Sequence, residues 1–147
     1  MSELTPAESR DLRCIAGTMI PASEEYGVPG ADDSTIFADI VKSLGRDFGD
    51  VRKALADLAA LAGGPLADLD AARREAVAAT FQERGGVAAE ALSRAILQCY
   101  YRDDRVVLSL GLEPRAPFPK GYTLEQGDWS LLDPVRARPK MWRDAGP

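Results

Sequence analysis

Six of the ten prolines in this 147-residue chain fall in its last quarter: Pro114, Pro117, Pro119, Pro134, Pro139 and Pro147. Proline fixes φ, lacks a backbone donor and pushes the preceding residue out of the helical region, so no long helix survives in that stretch. Both tryptophans, Trp129 and Trp142, lie there too, with Phe118, Tyr122, Leu131 and Leu132. That content is too apolar for a solvated disordered tail, and a long structureless loop is uncommon inside a compact domain. The segment is therefore expected to order against something, either the chain's own helices or a second protein.

Upstream, apolar residues recur at helical spacing. Thr5-Pro6-Ala7-Glu8 has the form of a capping box with proline in the first turn, opening a helix through Leu12, Ile15, Ala16, Met19 and Ile20 that Pro21 closes. Residues 22–31 carry turn signals. Asp32, Asp33 or Ser34 can cap a second helix with Ile36, Phe37, Ile40, Val41 and Leu44 on its apolar face. A third runs from about Phe48 through Val51, Leu55, Leu58 and Leu61 to Gly63, with Pro65 enforcing the break. A fourth is capped by Asp70 and carries Ala76, Val77, Thr80 and Phe81 toward Gly85-Gly86. A fifth carries Val87, Leu92, Ile96, Cys99 and Tyr100, and a short sixth starts at Asp103 or Asp104 and ends at Gly111. The abundant alanines of helices three to five suit close helix packing around a modest core. The expected fold is all-α: a small bundle of about five to six helices over residues 1–110, with an extended irregular C-terminal arm over 111–147, both in a single domain.

Composition excludes several functions. The net charge is −5 with no basic stripe, which argues against nucleic-acid binding through phosphates. No run of about 18 apolar residues is present, so no direct membrane insertion is expected. The opening residues, MSELTPAESR, lack the basic-then-apolar pattern of a secretory signal. The chain as written is expected in the cytoplasm, with a periplasmic location open if a signal has been removed or the complex is exported with another subunit.

The sequence contains no histidine, which removes His-based metal sites, Ser-His and Cys-His nucleophile pairs and the commonest neutral-pH base. Cys14 and Cys99 both lie in apolar helical stretches and read as buried free thiols, with a disulfide between the two helices as the alternative. The acid pairs Asp32-Asp33 and Asp103-Asp104 are candidates for acid–base work, but aspartates just before helices have a simpler use as caps. Tyr100-Tyr101 reads as one core ring and one interface ring. Arg52-Lys53 and Arg73-Arg74 read as solvated faces, and Arg102-Asp103-Asp104-Arg105 as local ion pairs. No catalytic, cofactor-binding or metal-binding residue is assigned to the chain.

A set of short motifs, taken in order, resembles the gluconate 2-dehydrogenase subunit 3 family. They are Met19-Ile20-Pro21-Ala22, Pro29-Gly30-Ala31, Tyr100-Tyr101 leading to Leu110-Gly111, Lys120-Gly121-Tyr122, Trp129, and Val135-Arg136-Ala137-Arg138-Pro139 with Trp142. The resemblance implies a non-catalytic small subunit without a cofactor of its own. Its partner would be an FAD-containing large subunit of the glucose–methanol–choline oxidoreductase type, acting on sugars or alcohols, joined in some complexes by a cytochrome c subunit. Small subunits of that family often begin with a twin-arginine export signal, which these opening residues do not carry, so a cytoplasmic complex stands beside the periplasmic one. In this reading Phe118, Tyr122, Trp129 and Trp142 are apolar anchors for the partner, while Lys120, Arg136 and Arg138 make charge-assisted contacts. Two other readings stay open: a helical adaptor or chaperone unrelated to redox chemistry, and a stand-alone small enzyme or ligand-binding protein using Tyr26, Tyr100 and nearby carboxylates.

Overall fold

The computed structural model describes residues 3–116, 121 and 123–143. The chain divides into two compact units, Met1–Pro114 and Arg115–Pro147, so the boundary falls just past Gly111. The architecture is all-α. Among the described residues the only β feature is an isolated bridge between Ser23 and Val28.

The first unit consists of α1 (Pro6–Met19), α2 (Ser34–Ser43), α3 (Phe48–Ala62), α4 (Ala71–Arg84), α5 (Val87–Tyr100) and α6 (Asp104–Ser109). Tight 3-10 turns at Gly45–Asp47 and Leu66–Asp68 lead toward α3 and α4. The capping box of α1 is complete: the Glu8 amide donates to Thr5 Oγ1 at 3.2 Å and the Thr5 amide to Glu8 Oε2 at 2.8 Å. The other oxygen of Glu8 accepts from Arg52 Nε at 2.7 Å, joining the start of α1 to α3. Asp33, Asp70 and Asp103 cap α2, α4 and α6 through their side chains. The end of α6 closes with the Leu112 amide on the Val107 carbonyl and Gly111 at φ +73, the six-to-one bond and left-handed residue of a Schellman ending.

One apolar core unites these helices. Leu12 and Ile15 of α1, Ile36 and Ile40 of α2, Leu58 of α3, and Leu92 and Ile96 of α5 are each at most 2% exposed. Burying a side chain of this size stabilises by about 1.5–3 kcal/mol, so α5, which packs on both α2 and α3, is the central strut. Ala54, Ala91 and Ala95 are buried, the small-residue content expected of close helix packing. The Tyr100 hydroxyl donates to the Pro29 carbonyl at 3.2 Å, fixing the end of α5 to the loop before α2. Some positions depart from the periodicity reading. Ala76 and Thr80 of α4 face solvent, with the Thr80 hydroxyl bonded back to the Ala76 carbonyl, and Val87 is 69% exposed. Both cysteines are free thiols, Cys99 buried and Cys14 half-buried.

Asp11 is the single buried charged residue among those described, and its role is structural. Its Oδ1 accepts the Ala67 amide at 3.0 Å, seating the Leu66–Asp68 turn on α1. Asp11→Ala is expected to lower stability by about 1–3 kcal/mol, because a buried amide loses its acceptor. Asp11→Asn keeps a side-chain oxygen and should retain most of the difference. Urea denaturation of the two variants checks this; equal losses would remove the hydrogen bond as the cause.

The second unit contains a 3-10 turn at Trp129–Leu132 that runs directly into α7 (Asp133–Arg136). Pro134 sits in the first turn of α7, where its missing amide costs nothing, which is how a helical turn persists in a proline-rich segment. No helix in the described residues is long and apolar enough to cross a membrane.

Candidate functional site

Of the seven residues expected to grip a partner, Phe118, Lys120 and Tyr122 lie outside the described residues. Trp129, Arg136, Arg138 and Trp142 are all exposed. Asp128 organises the turn that carries Trp129: its carboxylate accepts from the Ser130 amide at 3.0 Å and the Ser130 hydroxyl at 2.6 Å, and these bonds hold its carboxyl below the usual range. The Trp129 indole donates to Gln126 Oε1 at 3.4 Å. Arg136 pairs with Asp133 one turn back at 3.2 Å, and Lys140 Nζ lies 5.6 Å from the centre of the Trp142 ring. No described residue of this unit is buried, yet Trp129, Leu131, Val135, Met141 and Trp142 are between 54% and 84% exposed. The described part of the unit thus displays much of its apolar surface, with Leu132, at 40% exposed, the most covered of its large apolar side chains.

In the first unit, charge is distributed in a different way. Arg105 holds two helix caps at once, donating to Asp33 Oδ1 at 2.8 Å and to Asp103 at 2.9 Å, and its guanidinium keeps both carboxyls below their usual range. Arg102 clasps both oxygens of Asp39 at 2.6 Å and also donates to the Ser43 hydroxyl. Arg94 clasps Asp47 across the unit, at 2.9 and 3.1 Å. These bidentate pairs are the strong form of the interaction, and they leave the carboxylates of Asp33, Asp39, Asp47 and Asp103 committed to structure. The tetrapeptide 102–105 thus makes one local pair, Arg105 with Asp103, while Arg102 reaches back to α2. Arg52 also departs from a merely solvated face: its guanidinium lies over the Phe48 ring as well as against Glu8.

Of the tyrosine pair, Tyr100 is the core ring, 4% exposed with its phenol pushed up by burial, while Tyr101 is 54% exposed and meets it edge-on at 5.2 Å. Tyr26 is 69% exposed in the loop after α1. The Tyr100 hydroxyl is engaged as a donor to the Pro29 carbonyl. Among the described residues, no group of three or more His, Cys, Asp or Glu side chains is placed to hold a metal ion.

One carboxylate behaves unlike the others. Asp32 does not cap α2; Asp33 does. The Asp32 side chain instead occupies the space left by two glycines. A Cβ on Gly17 would sit 2.8 Å from its Cγ, and a Cβ on Gly30 would sit 2.5 Å from its Oδ1. Neither glycine has a positive φ, so room rather than backbone conformation is what they provide. The Asp32 backbone is pinned, its carbonyl accepting Arg13 Nε at 2.9 Å, while that guanidinium rests 5.6 Å from the Phe37 ring centre. The sequence reading missed this placement; the nearby Gly30 was its only local signal, and Gly17 lies on another helix. It also missed Arg74, which is half-buried with Nε donating to the Leu69 carbonyl at 2.7 Å, rather than on a fully solvated face.

Compared with protein-family models, with curated proteins and with solved structures, the chain matches none.

Proposed function

We propose that this chain is a non-catalytic small subunit that binds and stabilises an FAD-containing large subunit of the glucose–methanol–choline oxidoreductase type. The observation that carries the reading is the second unit's surface: two tryptophans, a methionine and aliphatic side chains stand in solvent with no described residue buried among them. Exposed apolar groups at that density mark an interaction surface, and tryptophan and arginine are the residue types that dominate interface energetics. The resemblance of the ordered motifs to the gluconate 2-dehydrogenase subunit 3 family supplies the identity of the partner. In this reading the partner carries the flavin and the chemistry, and the arm of this chain grips it.

The test is co-expression of the full chain with a flavoprotein of the glucose–methanol–choline type from the same source. The expected product is a complex showing flavin absorbance, and Trp129→Ala or Trp142→Ala should each weaken it by about tenfold or more. Full soluble activity of the flavoprotein expressed alone would overturn the proposal. Capture of a companion without flavin absorbance would replace it with an adaptor unrelated to redox chemistry.

A further inference from the structure

A cleft of about 240 Å³ opens between α1, the loop before α2 and the start of α4, lined by Cys14, Gly17, Thr18, Asp32, Ala71, Arg74 and Glu75. Its charges are arranged in a way found at none of the ion pairs described above. Arg74 is anchored by Nε and forms no ion pair among the described residues. Its neighbour in the cleft is the Cys14 thiol, a weak acceptor that leaves the guanidinium open to a stronger one. The Asp32 side chain lies beside Gly17 and Gly30, and both Asp32 and Glu75 are exposed, with no ion pair to Arg74 among the described residues. Both signs of charge therefore line one small cleft without neutralising each other, in a unit where Asp33, Asp39, Asp47 and Asp103 all have their arginine.

We propose that this cleft binds a small zwitterion, with the ligand's ammonium against Asp32 and Glu75 and its carboxylate against Arg74. A lone cation would leave Arg74 unmatched, and a lone anion would be repelled by the two acids. A molecule carrying both charges satisfies each wall with a charge-assisted hydrogen bond and brings no net charge into the site. The size suits a ligand of a few heavy atoms, since sites for drug-sized molecules run to about 300–1,000 Å³. The two glycines leave room for the exposed Asp32 side chain at the cleft wall, because a methyl group at either position would meet it at 3.0 Å or less. The inference stands apart from the partner-binding role and needs no flavoprotein to test.

The probes are glycine, β-alanine and γ-aminobutyrate, which vary the distance between the two charges, with propionate and ethylammonium as the separate halves. Each is titrated into the full chain up to about 10 mM, enough to saturate a millimolar site, with the amide resonances of Gly17, Thr18 and Ala71 followed by NMR. At least one zwitterion should shift these amides saturably, and each half should bind at least tenfold more weakly. Asp32→Asn, which keeps the shape of the side chain, and Arg74→Gln should each weaken binding at least tenfold with the helical spectrum unchanged. No saturable shift with any zwitterion, equal binding of propionate alone, or undiminished binding by both variants would each overturn the proposal.

Discussion

Truncating Ile96 to alanine will lower the stability of the first unit by about 2–5 kcal/mol, the range for emptying a fully buried aliphatic site. Ile96 is 0% exposed on α5, the helix that packs against both α2 and α3, so the cavity opens where three helices meet and cannot be refilled by movement of one. Domains of this size have about 5–15 kcal/mol in total, which makes the loss a large share of the whole. Urea denaturation followed by helical circular dichroism measures it directly. Val87→Ala, at a 69% exposed position on the same helix, is the control and should stay within about 0.5 kcal/mol. Losses of similar size at the two positions would show that α5 is not the strut described here.

The second large effect is expected at Gly30, and its contrast with Gly17 tests how Asp32 is seated. A Cβ on Gly30 would meet Asp32 Oδ1 at 2.5 Å, and also the Ala22 amide nitrogen at 2.9 Å and the Ile20 carbonyl at 3.2 Å. Two of those three neighbours are backbone, so Gly30→Ala has no cheap escape and should cost about 1–3 kcal/mol. The three atoms nearest a Cβ on Gly17 all belong to the Asp32 side chain, at 2.8 to 3.0 Å. Gly17→Ala should therefore destabilise the natural chain but recover part of the loss when Asp32→Ala removes the carboxyl group and leaves only the residue-32 Cβ at 3.0 Å, helped by the better helix propensity of alanine. The double-mutant cycle reads the difference: strong coupling of 17 with 32, and a persistent loss at 30. Simple additivity of Gly17→Ala with Asp32→Ala would mean that the carboxylate does not occupy that space.

The helices were legible in the sequence wherever a local rule decides them. Thr5 with Glu8, Asp70, Gly63 and Gly111 are start and stop signals whose physics involves only a few neighbouring residues, and each stands where the spacing placed it. The 3-10 turns at Gly45–Asp47 and Leu66–Asp68 left no periodic trace because a single turn has no period to detect. The helical turns around Trp129–Arg136 were hidden for a different reason: prolines forbid a long helix, but Pro134 is compatible with a first turn. The candidate cleft was the least legible element. Any of residues 32 to 34 satisfies the capping rule, so sequence could not tell that Asp33 caps while Asp32 turns toward a glycine on α1. The pairing of Arg102 with Asp39 was equally invisible, since a guanidinium beside two aspartates suggests local pairs until the helices are packed.

Arg105 joins the beginnings of α2 and α6 by holding both of their capping aspartates, residues separated by most of the unit's length. Loss of the arginine would leave two like charges facing each other at once, whereas loss of either acid leaves the cation still matched. The three positions are therefore coupled but not alike: losing either acid uncaps one helix and leaves the cation matched, whereas losing the base leaves both caps in place with their charges unopposed.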